Sequence, residues 1–222
     1  FNRNEQRERP AMRQREKMVE FEKVTVKYRS VKGEPPKVFD EFCLDIGKGE
    51  KIALIGSNGA GKSTMLKLMM GLIHPESGRV SVKGKLTRDM SKEELGHTIS
   101  MVYQNPEEMF IKDSIRKDIE YAMKVRKIEN YEARTGELLE MFRLTDLADR
   151  DGRLLSGGQM RRASLAIGIA LNPEMLLLDE PTANLDIATR REIMKTLQML
   201  KGITDTVVIA THDMQLVCDS AE

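Results

Sequence analysis

The chemistry of this chain begins in one glycine-rich stretch, GSNGAGKST, at residues 56–64. Its spacing, G-x-x-x-x-G-K-[ST], predicts a loop whose backbone N–H groups surround the phosphates of a nucleotide. The glycines allow backbone angles that turn these groups inward, and a helix beginning near Lys62 adds its partial positive charge. We expect Lys62 to reach the β- and γ-phosphates and Ser63 to offer its hydroxyl to Mg²⁺. The predicted ATP-binding residues are Gly56, Ser57, Asn58, Gly59, Ala60, Gly61, Lys62, Ser63 and Thr64.

Two adjacent acids follow an apolar run in EMLLLDEPT, where Asp179 and Glu180 stand side by side. A single acid at the end of a strand often caps a turn, whereas two in succession favour a reactive site. We expect Asp179 to bind the metal through a water molecule. Glu180 is expected to orient the attacking water or to accept its proton, which makes it the predicted catalytic base.

His212 lies in THD, at the end of a later apolar run. Taken by itself, a histidine in such a place is more often a capping or core residue. Its position at the carboxyl end of a predicted strand favours a catalytic role, because open α/β sheets bind ligands there. We expect His212 to contact the γ-phosphate and the water held by Glu180. His74 and His97 have no such context and are given no role.

The stretch LSGGQ, at residues 155–159, predicts a second anion-binding helix start. Ser156 is suited to cap the helix, and Gly157 and Gly158 would let bare backbone N–H groups approach a phosphate closely. One chain therefore carries two sequences that bind phosphate, and the second one needs an explanation.

Composition excludes several classes of protein. With 36 basic and 35 acidic residues the formal net charge is +1, which gives no field that would attract nucleic acid or an anionic membrane. Cys43 and Cys218 lie far apart, with no metal-like spacing, as expected in a reducing compartment. The apolar runs have the length of strands, and no signal peptide is visible. We predict a soluble, cytoplasmic α/β domain.

The order of sequence patterns predicts the architecture. Alternating apolar residues at 19–28 and 37–46 indicate an antiparallel β layer, and KIALIG at 51–56 indicates a buried strand before the glycine-rich loop. Strands and helices alternate in the second half, as in a parallel sheet, and IATRREIMKTLQML at 187–200 is predicted to be one of these helices. The predicted fold class is α/β, with a mostly parallel core sheet, an N-terminal antiparallel β layer and a helical subdomain over about residues 105–155.

The two ends suggest that the chain is part of a longer one, because it opens on Phe1 rather than Met and stops at Glu222 within a predicted helix. We therefore expect residues 19–222 to form one ATPase domain with a truncated C-terminal end. Residues 1–18 are charged and almost without apolar side chains, as in a flexible linker or tail. A nucleic-acid-binding arm is the alternative, which the lack of aromatic or Gly-Arg interleaving disfavours.

In their order and spacing, GSNGAGKST, LSGGQ, LLLDEPTANLD and THD resemble the ATPase domains of ABC transporters, over about residues 19–220. The resemblance implies a P-loop NTPase fold and a domain that works in pairs, with LSGGQ of one domain meeting ATP on the other. It implies that Tyr28 stacks on adenine, that Gln104 contacts Mg²⁺ and senses the γ-phosphate, and that Asp186 couples the two sites. The residues implied to contact the partner's ATP are Ser156, Gly157, Gly158 and Gln159.

A subtype is also suggested, because QNPEEMF, beginning at Gln104, resembles QNPEDQ-F of energy-coupling-factor and cobalt or nickel uptake ATPases. In those proteins the segment after the glutamine receives the coupling helices of a membrane subunit. The resemblance implies an ATPase at the cytoplasmic face of the membrane that powers an importer. Its expected partners are a transmembrane coupling subunit and a second ATPase domain, identical or different, and no nucleic acid. Residues 1–18 would suit the linker from a preceding ATPase half, and the cargo is chosen by other subunits.

Two other functions remain as alternatives. A soluble ABC-type ATPase of DNA maintenance or translation would usually carry a long coiled-coil insertion, for which the interval 104–155 is too short. A phosphate-binding regulator without turnover would lack the acid after Asp179, whereas Glu180 is present.

Overall fold

The computed structural model describes residues 16–27, 37–200 and 202–213. Several predictions fall outside this range: the adenine-stacking Tyr28, most of the linker and the helix at the C-terminal end.

The described residues form eight strands and six α-helices. The strands are β1 (Lys17–Lys27), β2 (Lys37–Gly47), β3 (Lys51–Ile55), β4 (Ser77–Val82), β5 (Lys85–Leu86), β6 (Ile99–Val102), β7 (Met175–Asp179) and β8 (Thr206–Thr211). The helices are α1 (Lys62–Met69), α2 (Lys92–Thr98), α3 (Ile115–Val125), α4 (Tyr131–Met141), α5 (Gly157–Ile169) and α6 (Ile187–Leu200). Among these described elements, no helix has the length and apolarity needed to cross a bilayer.

The first sheet is antiparallel, in the order β2-β1-β4-β5. Its inner strand β1 alternates in character, with Val19 and Phe21 fully buried and Glu20 between them partly exposed. This alternation is typical of a sheet with one face on the core. The predicted N-terminal β layer is thereby confirmed, although β1 begins at Lys17, two residues before the predicted strand.

The second sheet is parallel, in the order β3-β8-β7-β6. Every residue of β7 and β8 is buried. In β7, Leu176 and Leu178 pack on one side, in the core of the helical region, while Met175 and Leu177 pack on the other, beneath the antiparallel layer. Burial on both faces explains why these strands are continuous apolar runs. The prediction that β3 is buried was wrong: its central residues are only partly buried and Ile55 is 50% exposed, because β3 lies at the edge of the described sheet. The predicted α/β architecture is confirmed.

The helices include one that the sequence did not predict. The segment from Ile187 to Leu200 is helical over the predicted range. Helix α2 was missed, although Ser91 and Glu94 form a reciprocal capping box at its start, a pattern readable in sequence. Between residues 105 and 155 the structure has α3, α4 and short 3₁₀ turns, so this interval is mainly helical.

Two glycines test how tightly β4 approaches β1. Gly78 and Gly84 both have φ of +78°, but a Cβ on Gly78 would lie 2.2 Å from the carbonyl oxygen of Lys23, whereas one on Gly84 would meet nothing within 4 Å. We expect Gly84→Ala to lower the free energy of unfolding by about 1 kcal/mol, from the left-handed conformation alone. Gly78→Ala should lower it by about 3 kcal/mol or more, because backbone must also move. Urea denaturation of both variants checks this, and equal losses would contradict the close approach.

Candidate functional site

Three parallel strands bring the predicted catalytic residues to one edge of the sheet. Strands β3, β8 and β7 are adjacent, and their carboxyl ends are followed by the glycine-rich loop, by His212 and by Glu180, respectively. Ligands bind at this edge in open α/β sheets. Helix α1 begins at Lys62, as predicted, and directs its N-terminus at the same place.

The glycine-rich loop encloses a cavity of ≈ 380 Å³. Gly61 precedes α1 with φ of +90°, and a Cβ on it would lie 2.7 Å from Cγ1 of Val38, so both the backbone angle and the close approach require glycine. The cavity is lined by Asn58, Gly59, Ala60, Gly61, Lys62, Ser63, Thr64, Gln104 and Glu180. Its shape and its lining of backbone N–H groups and a lysine suit a chain of phosphates.

Lys62 bends back over its own loop. Its Nζ donates to the carbonyl oxygens of Gly56, at 2.5 Å, and Ser57, at 3.2 Å. The same Nζ lies 3.4 Å from Oε1 of Glu180. The ammonium group is therefore held between the loop carbonyls and the acid. The phosphates of a nucleotide entering the cavity carry full negative charge and would compete with the neutral carbonyls for it.

Glu180 is held in an unusual conformation at the end of β7. Its φ of +46° is left-handed, which costs a non-glycine residue about 1 kcal/mol or more and is typical of functional sites. Its Oε2 accepts hydrogen bonds from the Thr211 hydroxyl and the His212 backbone N–H, both at 3.3 Å. His212 Nδ1 lies 3.0 Å from the same oxygen. Oε1 is buried and has no hydrogen-bond partner among the described residues.

The environment keeps Glu180 ionised. Burial alone would raise the pKa of this carboxyl, but the hydrogen bonds from the side chain and backbone of His212, with Lys62 nearby, hold the pKa below its usual range. Oε2 of this carboxylate is fully hydrogen-bonded, while Oε1 is ion-paired with the Lys62 ammonium, 3.4 Å away. Oε1 would become available to accept a proton when Lys62 turns to a bound phosphate. The side chain of His212 is 54% exposed, and its Nδ1 is the ring nitrogen next to Glu180.

The metal ligands predicted from sequence lie together. Ser63 Oγ donates to Asp179 Oδ1 at 3.1 Å. Burial raises the pKa of Asp179, partly offset by this hydrogen bond, so a nearby cation would stabilise the ionised form. Gln104 and Ser63 both line the cavity of the glycine-rich loop. Hydroxyl, carboxylate and amide oxygens are the donors that Mg²⁺ takes, so these residues fit that ion.

The LSGGQ stretch begins α5 with a capping box. Ser156 Oγ accepts from the Gln159 N–H at 3.4 Å, and Gln159 Oε1 accepts from the Ser156 N–H at 3.1 Å. The N–H groups of Gly157 and Gly158 have no hydrogen-bond partner in the described part of the chain. The predicted cap is confirmed, and these N–H groups remain open to an anion.

The LSGGQ stretch and the loop of Lys62 line different cavities. Gly157 lines a second cavity of ≈ 370 Å³. Within the described ranges, none of residues 155–159 lines the first cavity, while Gln104 lines both. The LSGGQ stretch therefore lies outside the cavity of Lys62.

Gly158 also has a packing role that the sequence did not indicate. A Cβ at Gly158 would lie 2.5 Å from Cγ2 of Thr189, at the start of α6. Thr189 in turn donates its hydroxyl to Asp186 Oδ2 at 2.6 Å, and Asp186 caps α6 by accepting the N–H groups of Ala188 and Thr189, both at 3.0 Å. The starts of α5 and α6 are thus in direct contact.

Asp213 is a site residue that sequence reasoning missed. It is buried next to His212, forms an ion pair with Arg190 of α6 and accepts a hydrogen bond from the Thr182 hydroxyl at 3.4 Å. It therefore ties the strand end that carries His212 to the helix capped by Asp186. Its place in THD was the available signal, but Arg190 is brought to it only by the fold.

Comparisons with known proteins agree with this geometry. A family model described as ABC transporter matches residues 39–183. The energy-coupling factor transporter ATP-binding protein EcfA1 of Streptococcus pyogenes serotype M12 (strain MGAS2096) is 34% identical over 203 residues, which are 90% of this chain and 72% of that protein.

Two solved structures are also similar. The ATP-binding cassette MJ0796, a dimer in a post-hydrolysis state bound to ADP and Pi, is 30% identical, with 91% of each chain covered and a TM-score of 0.79. CbiO1 of Clostridium perfringens, part of the ABC transporter complex CbiONQ, is 31% identical, with 91% of this chain and 81% of that chain covered and a TM-score of 0.77. Together with the convergent residues at the sheet edge, these similarities show that the chain belongs to the ABC transporter family, as one of its ATPases.

Proposed function

We propose that this ATPase powers an importer of the energy-coupling-factor type by closing on a second ATPase domain around bound ATP. The observation that carries the proposal is the convergence of Lys62, Asp179, Glu180 and His212 at the carboxyl edge of one parallel sheet. The names of the relatives, an energy-coupling-factor ATPase and a CbiONQ subunit, support transport.

The residues at this edge have separable roles. The loop of residues 56–64 binds the phosphates through backbone N–H groups, and Lys62 leaves the carbonyls of Gly56 and Ser57 for the β- and γ-phosphates. Ser63, Gln104 and Asp179, the last through a water molecule, would hold Mg²⁺. When bound, that ion neutralises charge on the transferring phosphate.

Glu180 acts on the attacking water. Its Oε2 is fixed by Thr211 and His212, so Oε1 is the oxygen that accepts the water's proton once the Lys62 ammonium, 3.4 Å away, has moved to the phosphates. His212 is held by Oε2, with its other ring nitrogen available to the γ-phosphate. A rigid pair of this kind positions the water before the reaction begins.

A second domain completes the site. The open N–H groups of Gly157 and Gly158, the hydroxyl of Ser156 and the side chain of Gln159 would meet the γ-phosphate of ATP held on the partner. Asp186, at the contact between α5 and α6, would couple the two sites. ATP favours the closed pair, and hydrolysis removes that preference.

The membrane partner is proposed to dock beside Gln104. The segment after Gln104 leads to Ile111, 59% exposed, and α3 carries the exposed side chains of Tyr121 and Val125, one helical turn apart, with Val125 64% exposed. Ile128, also exposed, follows the end of α3. Such a row of exposed apolar side chains fits the coupling helices of a membrane subunit. This docking would place the ATPase at the cytoplasmic face of the membrane. Tyr28 as the adenine contact, residues 1–18 as a linker and residues 105–155 as a helical subdomain belong to the same proposal.

Capture of the membrane partner tests this function. The tagged chain, extracted in detergent from its own source cells, should co-purify with a hydrophobic membrane protein. Val125→Glu should abolish co-purification while ATPase activity of the isolated chain stays unchanged, because the substitution lies outside the ATP site. Leu72→Glu, at an apolar residue that is 48% exposed and follows α1, is the matched control and should retain the partner. ATPase stimulation by nucleic acid, without a membrane partner, would favour the soluble alternative instead.

A further inference from the structure

Arg161, on α5, is a buried cation that the proposed mechanism does not use. The residue is 2% exposed. Burial lowers the pKa of its guanidinium, and no carboxylate of the described residues offsets this effect. A buried charge is tolerated only where hydrogen bonds compensate for the lost water, so its bonds indicate what the residue does.

The guanidinium of Arg161 binds the segment that carries Gln104. Nη1 donates to the carbonyl oxygen of Tyr103 at 3.0 Å, and Nη2 donates to that of Gln104 at 2.8 Å. Strand β6 ends at Val102, so these carbonyls lie beyond the sheet ladder. The Nε atom is also buried and has no hydrogen-bond partner within the described ranges. Both terminal nitrogens of Arg161 thus donate to two successive backbone carbonyls.

Helix α5 lies along β6, and its N-terminal end is formed by the LSGGQ stretch, which we call the signature. A Cβ on Gly168 would lie 2.6 Å from Cγ2 of Val102, so helix and strand touch there. Arg161 is two turns nearer the N-terminus, about 10 Å along the helix, and reaches the two residues that follow the strand. Gly157 is one further turn along the same face, and Gly157, Arg161 and Gln104 line the same cavity. One rigid helix therefore connects the signature to Gln104.

We propose that Arg161 is a positioning residue that sets the direction of the Gln104 side chain and makes it follow movements of the signature helix. The two carbonyls belong to the two peptide planes that flank the Cα of Gln104. Fixing both planes fixes the direction in which its side chain leaves the backbone. A shift of α5 toward a partner's ATP would be transmitted to Gln104 through the guanidinium. This inference rests on the role proposed above for Gln104.

Hydrogen exchange of the nucleotide-free protein tests the anchoring itself. Arg161→Met should raise amide exchange in residues 103–110 about tenfold, because two hydrogen bonds to this segment are lost. Arg134→Met is the matched control, since Arg134 is partly buried on α4 and bonds to Asn172 and Glu137, away from Gln104. It should leave exchange in that segment unchanged. If Arg161→Met does not fold, Arg161→Lys, which keeps the charge but not the two-pronged donor, takes its place in the comparison.

A double-mutant cycle tests the link to Gln104. Arg161→Met and Gln104→Ala should each raise the Mg²⁺ concentration for half-maximal ATPase activity about tenfold, as loss of a residue that orients a metal ligand does. ATP affinity without Mg²⁺ should not change in either. The double variant should require no more Mg²⁺ for half-maximal activity than Gln104→Ala alone.

Two results would overturn the proposal. One is amide exchange in residues 103–110 of Arg161→Met that matches the parent. The other is a double variant whose Mg²⁺ requirement is raised by the product of the two single increases. If Gln104→Ala alone leaves the Mg²⁺ requirement unchanged, the role proposed for Gln104 fails and the link to Mg²⁺ fails with it. The hydrogen-exchange result then still reports whether Arg161 anchors the segment.

Discussion

Replacing Glu180 with glutamine is expected to lower kcat for ATP hydrolysis by at least about a hundredfold while ATP still binds. The oxygen of the new amide must face the Thr211 hydroxyl and the His212 N–H, because both donate to the present Oε2. The NH₂ group then occupies the position of Oε1, beside the ammonium of Lys62. A donor at that position cannot accept a proton from water, so chemistry stops and the ATP-bound pair should accumulate.

Single-turnover hydrolysis, ATP binding by fluorescence and light scattering with ATP would measure these effects of Glu180→Gln. Glu120→Gln is the matched control, because Glu120 is also buried and pairs with Lys124, 2.7 Å away, on α3. It should hydrolyse ATP at the parental rate. Parental turnover by Glu180→Gln would remove the role assigned to its carboxylate.

Replacing Ser156 with arginine should abolish cooperative hydrolysis, with a fall in activity of about a hundredfold or more, and leave ATP binding to the single domain intact. The new side chain would cover the open N–H groups of Gly157 and Gly158 and keep a partner's phosphate from reaching them. The domain's own ATP should be unaffected, because Ser156 does not line the cavity of Lys62.

Loss of the cap must be separated from loss of the phosphate contact in Ser156→Arg. Removing a capping serine costs about 1 kcal/mol of stability by itself. Ser91→Arg is a close control, because Ser91 is exposed and forms a capping box with Glu94 at the start of α2. Ser91→Arg should lose similar stability and keep its ATPase activity. If Ser156→Arg weakened ATP binding to the single domain as strongly as it lowered cooperative hydrolysis, this result would contradict a site shared between two domains.

The sequence predicted those features that are determined locally. Helix α6 was predicted over its observed range because its apolar residues recur with helical spacing and a strand-to-turn signal precedes it. Strands β7 and β8 were readable because burial on both faces leaves a continuous apolar run. The apolar run of β3 predicted a strand correctly but its burial wrongly, because β3 lies at the edge of the described sheet. Helix α2 was missed because its seven residues offer too few turns for periodicity, which leaves only the capping box as a signal.

The site shows the same division. The loop of residues 56–64 was predictable because its spacing alone determines its backbone. Arg161 and Arg190 were not, because each is one of many basic residues until the fold places it against Gln104 or Asp213. The sequence predicted only that Gly158 lets a phosphate approach the backbone N–H. Its close approach to Thr189 depends on how α5 and α6 pack together. Long-range proximity of this kind leaves no local pattern.

The capping box of α5 restricts which residue can occupy position 156. Ser156 uses one lone pair of its oxygen to accept the Gln159 N–H, which leaves the hydroxyl proton free to be donated outward. Aspartate would cap the helix equally well, yet it would present a full negative charge to any approaching anion, and alanine would offer neither bond. In one rotamer, the Ser156 hydroxyl can therefore accept the N–H of its own helix and donate its proton to the phosphate of a partner's ATP.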